Sequence, residues 1–266
     1  MILPLFNTNF ISIGPIHIKW YSLAYIAGII IAWLLIKYYN TKYELHLYNK
    51  ENESNFCDDF FFYGILGIVL GGRLGYVIFY NINYYLHNLF DIFAIWSGGM
   101  SFHGGLIGVI IATILLCKKY NINKLLFLDV LTVVVPIGLF FGRLANFINL
   151  ELYGRPTTVP WGMVFPTADN LARHPSQLYE ALLEGVVLFI IMNLLVHFKK
   201  FKKIGLNSSL FLMLYSSFRI FVEYFREPDA QLGFIFKYLT MGQVLSVPLF
   251  VCGVIILVKN YRKNIK

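Results

Sequence analysis

The run LLFLDVLTVVVPIGLFFGRLANFI, residues 125–148, decides the fold class of this chain. A bilayer core about 30 Å thick is crossed by roughly 20 apolar residues in a helix, so the run is long enough to span a membrane. Comparable runs occur along the whole chain. They predict an all-α polytopic membrane protein with seven transmembrane helices, at about 20–39, 60–80, 101–117, 125–148, 178–198, 206–225 and 240–258.

The overall composition supports this class. Of 266 residues, 58% are hydrophobic and only 14% are charged, and the mean hydropathy is +0.66. No stretch resembles an interdomain linker, so we expect one integral-membrane domain over 1–266. The first apolar run is too long for a signal-peptide core and is followed by another span, so we expect it to be retained.

The placement of basic residues predicts the orientation. A net charge of +8 would suit a nucleic-acid binder, but the lysines collect in alternate connections and at the C-terminal end, at 37–50, 118–124, 199–203 and 259–266. The intervening connection 81–100 contains no Lys or Arg. By the positive-inside rule, the N-terminus is periplasmic and the C-terminus cytoplasmic, and we expect no nucleic-acid partner.

The three cysteines, Cys57, Cys117 and Cys252, lie in or at the ends of predicted spans. They form no CxxC motif, and no His or Asp stands at ligand spacing from them. We therefore interpret them as small packing residues and expect no disulfide framework, no metal site and no cofactor.

Polar residues inside the predicted spans indicate a site. An arginine at a helix centre costs about 2.5–3.5 kcal/mol on insertion scales, so such residues are functional candidates. On the predicted topology they fall toward the outer leaflet, with Asp129 as an exception that we interpret as a helix-end residue. Six of the seven arginines lie in spans or on the outer side: Arg73, Arg143, Arg155, Arg173, Arg219 and Arg226. The guanidinium fork suits a phosphate or carboxylate, which predicts an anion site.

Spacing alone leaves alternatives open. Arg219, Glu223 and Arg226 share one helical face, but they could equally form internal ion pairs that tie helices together, such as Arg219 with Glu223. A pair of Arg143 with Glu151 is the second such alternative. Tyr21 by itself is typical of an aromatic-belt anchor. In GGMSFHGG, residues 98–105, the glycines beside His103 would let backbone and substrate approach closely, which favours a role in binding or catalysis.

Longer motifs carry a resemblance to a known family. In order along the chain they are GGMSFHGGLIGV, GRLANFINLELYGR, RHPSQLYEALLEG and FRIFVEYFREPDAQ, with an outer loop region at 149–177 between spans 4 and 5. Together they closely resemble the prolipoprotein diacylglyceryl transferases of bacterial inner membranes. The resemblance extends from SIGPIHIKWYSLAY near the start to MGQVLSVP in the last span.

The resemblance implies a reaction and a location. Members of this family transfer a diacylglyceryl group from phosphatidylglycerol to the lipobox cysteine thiol of a prolipoprotein and release glycerol 1-phosphate. The expected partners are therefore phosphatidylglycerol, the lipobox cysteine and membrane lipids. The expected location is the bacterial inner membrane, with the active site toward the periplasm. An anionic-solute or lipid transporter and a lipid-binding scaffold are the alternatives, although no inverted repeat supports transport.

The resemblance also implies residue roles. Arg143 and Arg219 match arginines that would hold the phosphate, and His103 is the candidate base because imidazole is the side chain best suited to proton transfer near neutral pH, with Glu151 as the alternative. Tyr21 matches the family's first-span tyrosine. The other motif positions assigned to phosphatidylglycerol binding are Asn146, Gly154, Glu180, Tyr215, Glu223 and Arg226.

Three positions depart from the family signature. Ala145, Leu150 and Tyr153 stand where the family typically has Gly, Gly and Trp. Ala145 is a small change, and Tyr153 keeps an aromatic ring. Leu150 could affect the fine geometry if the backbone there requires a positive φ.

Overall fold

A helix covers each of the seven predicted spans. The computed structural model describes residues 2–4, 9–13, 16–47, 55–80, 82–94, 98–199, 201–228 and 238–263; Lys50, Lys200 and Lys266, used above for orientation, lie outside them. The α-helices in chain order are α1 (Trp20–Tyr43), α2 (Phe56–Tyr80), α3 (Ile82–His87), α4 (Phe102–Lys119), α5 (Lys124–Ile148), α6 (Ser176–Glu180), α7 (Leu188–Lys199), α8 (Leu206–Val222) and α9 (Met241–Lys263). A π-helix, Ala181–Val187, joins α6 to α7, so these three form the fifth predicted span.

Five of the described helical segments are long and apolar enough to cross a membrane. They are Trp20–Tyr43, Phe56–Tyr80, Lys124–Ile148, Ser176–Lys199 and Met241–Asn260. Leu206–Val222 is apolar but shorter. This pattern is that of a mostly helical, polytopic membrane protein.

The prediction of an all-α chain is wrong in detail, because two short antiparallel sheets are present. Strands β1 (Asn9–Ile13) and β2 (Ile16–Lys19) pair just before α1. Strands β3 (Met163–Val164) and β4 (Ala172–Arg173) pair between α5 and α6. Alternating isoleucines in the first hairpin favour extended backbone, which a search for long apolar runs does not detect.

The chain forms two compact units, residues 1–36 with 128–266 and residues 37–127. The second unit is built on α2 and α4, which pack through glycines. A Cβ at Gly104 would overlap the carbonyl of Gly71, and one at Gly108 would overlap that of Gly67. Gly104 therefore allows the close backbone approach expected of the glycines beside His103, and the approach of substrate there stays a prediction. Of the cysteines, Cys57 and Cys117 are buried and Cys252 is exposed.

Arg73 has a structural role in this second unit. Arg73 is 3% exposed, and its guanidinium group donates hydrogen bonds to backbone carbonyls of the connection that follows α2, those of Asp91, Ile92, Gly98 and Gly99. It also lies over the ring of Tyr85, 5.2 Å from the centroid. Because its donors are committed to the backbone, Arg73 does not belong to the predicted anion site.

Asp129, which the sequence predicts to be a helix-end residue, lies inside α5 and is fully buried. Its carboxylate accepts hydrogen bonds from the backbone N–H groups of Gly205 and Ser208, at 2.5 and 2.7 Å, and from the Ser208 hydroxyl at 2.6 Å. These N–H groups belong to the start of α8, where no earlier turn supplies acceptors. Asp129 therefore caps a neighbouring helix rather than its own.

Backbone contacts hold the loop between α5 and α6 against the end of α8. Gly154 donates to the carbonyl of His174 at 2.8 Å. A Cβ on Gly154 would lie 2.6 Å from that same oxygen and 2.5 Å from the carbonyl oxygen of Phe225. The space between the two backbone segments admits no side chain, which gives this motif glycine a packing reason.

Two further arginines stabilise the same loop. Arg155 donates to the carbonyls of Arg226 and Glu223, at 2.8 and 3.3 Å. Arg173 pairs with Asp169 and Glu227, at 2.7 and 3.0 Å, and its hydrogen bonds lower the pKa of the Asp169 carboxyl. Like Arg73, these two arginines are engaged within the protein. The arginines that remain candidates for the predicted anion site are Arg143, Arg219 and Arg226.

Leu150 has a backbone φ of 54°, in the left-handed region that the family glycine would occupy easily. Its side chain is buried in a small core with Leu3 and Phe165. A leucine in this conformation costs about 1–2 kcal/mol, whereas burying its side chain contributes about 1.5–3 kcal/mol. Burial of the Leu150 side chain therefore offsets the backbone strain that comes with leucine in place of the family's glycine.

We expect Leu150→Gly to be destabilising but less so than Leu150→Ala. Both variants lose the buried side chain, at about 2–5 kcal/mol, but only glycine removes the left-handed strain, so it should be about 1 kcal/mol more stable than alanine. Thermal unfolding in detergent measures the order. Leu152 is the matched control, since it has a φ of 56° and an exposed side chain. At position 152, the glycine variant should be at least as stable as the wild type. If the alanine variant at position 150 were more stable than the glycine variant, the proposed backbone strain at Leu150 would be wrong.

Candidate active site

Three helix ends bring the polar side chains of the first unit together. Arg143 lies near the end of α5, Glu180 ends α6, and Arg219 lies in the last turn of α8. The predicted directions of the spans require these ends to meet on one side, and the salt bridges confirm that they do. The arginine–glutamate cluster, as we call it, comprises Arg143, Glu180, Glu184, Arg219, Glu223 and Arg226.

Glu180 joins the two arginines that were predicted to hold a phosphate. One of its oxygens, Oε2, lies 2.6 Å from Nε of Arg143 and 2.8 Å from Nη1 of Arg219. Glu180 is fully buried. A single carboxylate oxygen thus holds two guanidinium groups side by side, through a charge-assisted hydrogen bond from Arg219 and an ion pair with Arg143.

The two arginines differ in the donors they keep. Both terminal nitrogens of Arg219 are engaged, Nη1 by Glu180 and Nη2 by Glu223 at 2.5 Å. Arg143 contacts Glu180 through Nε, and its Nη2 is 3.6 Å from a Glu184 oxygen, beyond ordinary hydrogen-bond distance. Arg143 is also the more exposed of the two, at 18% against 11%. Arg143 is therefore the better placed to bind an external anion.

Glu184 belongs to the cluster, although it is not among the site residues predicted from the family motifs. It lies in the π-helix, four residues after Glu180, and is fully buried. Its oxygens are 3.6 Å from Arg143 and 3.7 Å from Arg219, and neither has a hydrogen-bond partner within the described chain. The i, i+4 spacing from Glu180 was the signal available in the sequence. Short π-helical segments occur often at functional sites.

Glu223 completes the cluster on the side of α9. Its Oε1 pairs with Arg219 and lies 3.7 Å from Nη1 of Arg226. A Cβ at Gly242 would overlap the Glu223 carboxylate, so that glycine leaves room for it. Of the two internal ion pairs weighed from spacing, Arg219 with Glu223 is confirmed. The pair of Arg143 with Glu151 does not form, since Arg143 approaches Glu180 and Glu184 instead.

A second polar group links Tyr21, Asn146 and Glu151. The amide nitrogen of Asn146 donates to the Tyr21 hydroxyl and, at 2.8 Å, to Oε1 of Glu151. Asn146 is buried, one turn beyond Arg143 on α5. Tyr21 therefore makes a specific polar contact, which a belt anchor alone would not require.

The remaining predicted site residues are placed as follows. Tyr215 lies one turn before Arg219 on α8 and interacts electrostatically with Glu184. His103 is exposed and lies in the first turn of α4, in the second unit. Its role as base stays a prediction. Gly154 has the packing role given above, and its role in lipid binding also stays a prediction.

Long apolar helices that enclose a buried arginine–glutamate cluster define a class, that of polytopic helical membrane proteins with a polar site among their helices. The model of the family described as prolipoprotein diacylglyceryl transferase matches residues 8–259. The chain therefore belongs to the prolipoprotein diacylglyceryl transferase family.

Relatives with closely similar names match this chain over nearly their full length. A phosphatidylglycerol--prolipoprotein diacylglyceryl transferase of Rickettsia bellii (strain OSU 85-389) is 50% identical over 267 residues, covering 100% of this chain and 99% of the relative. The Rickettsia felis protein of that name is 51% identical over 254 residues, covering 95% and 96%. The Methylocella silvestris protein is 46% identical over 261 residues, covering 98% and 96%.

Proposed function

We propose that this chain transfers the diacylglyceryl group of phosphatidylglycerol to the lipobox cysteine thiol of prolipoproteins. The thiol sulfur forms a bond to the glyceryl carbon, the bond from that carbon to the phosphate oxygen breaks, and the electron pair leaves with glycerol 1-phosphate. The thiol proton passes to a base. The names of the relatives favour this reaction over the transporter alternative.

One observation carries the proposal for this site, namely the pairing of Arg143 and Arg219 through a single oxygen of Glu180. It holds two guanidinium groups together, while Nη2 of Arg143 lies 3.6 Å from the nearer Glu184 oxygen, beyond ordinary hydrogen-bond distance. In the proposed reaction the leaving phosphate gains negative charge. A preorganised arginine there would stabilise the transition state more than the bound diester.

The proposed topology has seven transmembrane helices, with α4 and α8 crossing the membrane in addition to the five longer segments. We propose a periplasmic N-terminus, a cytoplasmic C-terminus and an active site on the periplasmic side of the bacterial inner membrane. The lysine-rich connections support this orientation. It would bring the arginine–glutamate cluster to the leaflet that a secreted prolipoprotein reaches.

The discriminating experiment measures the products with purified protein in phosphatidylglycerol vesicles. We expect glycerol phosphate to be released only when a lipobox peptide that contains cysteine is added, with a matching gain of a thioether-linked lipid on the peptide. A peptide with serine in place of cysteine is the control. Solute exchange across the vesicles without release would favour a transporter, and lipid binding without either would favour a scaffold.

His103 is the proposed base, and Glu151 is the alternative. A free thiol has a pKa of about 8.5 and is only a few per cent thiolate near neutral pH, so a base should contribute about 100-fold or more to transfer. We expect His103→Gln to lower kcat by about that factor, with the deficit largest below the thiol pKa. His87→Gln is the matched control, on the exposed helix α3. Near-normal transfer by His103→Gln would leave Glu151 as the candidate.

A further inference from the structure

The arginine–glutamate cluster has no excess positive charge when all its groups are ionised. Among the described residues, three guanidinium groups face three carboxylates in mutual contacts of 2.5–3.7 Å, and their charges cancel. Glu151, hydrogen-bonded to Asn146 one turn beyond Arg143, adds another negative charge. A phosphodiester monoanion that binds here therefore adds charge to a site that has nothing left to neutralise it. Uncompensated charge in a buried site is costly.

Glu184 is the carboxylate least held by its neighbours. Glu180 has contacts of 2.6 and 2.8 Å, and Glu223 has one of 2.5 Å. Glu184 has only the two longer approaches, and both its oxygens are fully buried without a hydrogen-bond partner in the described part of the chain. The charged and titratable groups that face it are Arg143 from α5, Tyr215 and Arg219 from α8, Arg226 just after α8, and Glu180 from its own helix.

We propose that Glu184 takes up a proton from solvent when the phosphate group of phosphatidylglycerol binds to Arg143. The neutral carboxylic acid no longer attracts the positive charge of Arg143 and Arg219. The cluster therefore gains one net positive charge, which balances the negative charge of the phosphate. Glu180 keeps its short contacts and goes on fixing the guanidinium groups. Glu184 is thus a positioning residue that balances charge, and the inference rests on the function proposed above.

Proton uptake can be measured on the wild-type protein without any transfer. The detergent-solubilised enzyme, in weakly buffered solution with an indicator dye and no lipobox peptide, is titrated with short-chain phosphatidylglycerol. We expect uptake of about one proton per lipid bound at neutral to alkaline pH. Phosphatidylcholine of the same chain length is the control for dilution and detergent effects. Binding of phosphatidylglycerol with no uptake would overturn the proposal.

Two variants assign the proton to Glu184. In Glu184→Gln, which mimics the protonated acid, binding should proceed without uptake; in Glu184→Asp, which keeps an ionisable group, uptake should persist. The KM for phosphatidylglycerol should rise by up to about tenfold per pH unit in the alkaline range for wild type and Glu184→Asp, and stay flat for Glu184→Gln. A purely structural role would not flatten this profile. Undiminished uptake in Glu184→Gln would place the proton elsewhere and refute the assignment.

The outcomes separate this inference from the proposed function. Failure of every variant and of the wild type to release glycerol phosphate with a lipobox peptide would refute the transferase proposal, whatever the proton count. Release by the wild type together with a KM that is independent of pH would refute the role of Glu184 and leave the transferase proposal standing.

Discussion

Replacing Arg219 with leucine should lower the free energy of unfolding by about 3–5 kcal/mol. The Arg219 side chain is 11% exposed, and its guanidinium group contacts Glu180 and Glu223 at 2.8 and 2.5 Å. Without it, two nearly or fully buried carboxylates lose a partner, and the cost of their burial is no longer offset. Denaturant-induced or thermal unfolding in detergent would measure the change.

The matched control is Lys119→Leu. Lys119 pairs with Asp59 at 2.8 Å, a distance equal to that between Arg219 and Glu180, but the two side chains are 57% and 31% exposed. An exposed pair contributes at most about 1 kcal/mol, so this variant should unfold almost as the wild type does. Similar losses for the two variants would show that burial of the arginine–glutamate cluster does not govern its contribution.

Replacing Arg143 with lysine should reduce kcat/KM for diacylglyceryl transfer by about 10-fold to more than 100-fold. An arginine can contact Glu180 through Nε and a phosphate through its terminal nitrogens at the same time, whereas a lysine has a single nitrogen for both. Charge-assisted hydrogen bonds contribute about 1.5–3 kcal/mol each, which gives a loss of this size for one or two contacts. The measurement is glycerol phosphate release in phosphatidylglycerol vesicles.

Arg173→Lys is the control for the same chemical change outside the cluster. Arg173 pairs with Asp169 and Glu227 in the loop between α5 and α6, and those partners are 36% and 43% exposed. We expect its transfer rate to remain within about threefold of wild type, since Arg173 lies outside the arginine–glutamate cluster and a lysine there keeps a positive charge beside the two partly exposed carboxylates. If Arg143→Lys also retained a near-normal rate, the proposed contact between the Arg143 terminal nitrogens and the phosphate would be wrong.

The positions of the helices follow closely from the sequence. A run of about 20 apolar residues has few alternatives to a helix in a membrane, because the backbone polar groups must be satisfied within the segment. Contacts within one helix can also be predicted from the sequence, as the i, i+4 pair of Arg219 and Glu223 illustrates. The short hairpin of β1 and β2 was missed, since its strands are too short to register as spans.

Contacts between helices are much harder to predict from the sequence. Spacing suggested Glu151 as a partner of Arg143, but the helix packing supplies Glu180 and Glu184 from another span. Arg73, Arg155 and Arg173 looked equivalent to Arg143 in the sequence, yet their donors are engaged by the backbone or by loop carboxylates. A residue count cannot separate these cases, because the direction of each side chain depends on the packing of its helix.

The sequence by itself determined the membrane class, the helices, the family motifs and the gathering of polar residues at one end of α5, α6 and α8. Only the tertiary structure decided that one oxygen of Glu180 joins Arg143 to Arg219, that Glu184 is buried without a hydrogen bond to any described residue, and that Leu150 offsets its positive φ by burial. The physical reason is the range of the interactions. Hydrophobicity and helical spacing act within a segment, whereas ion pairing and burial depend on which segments meet.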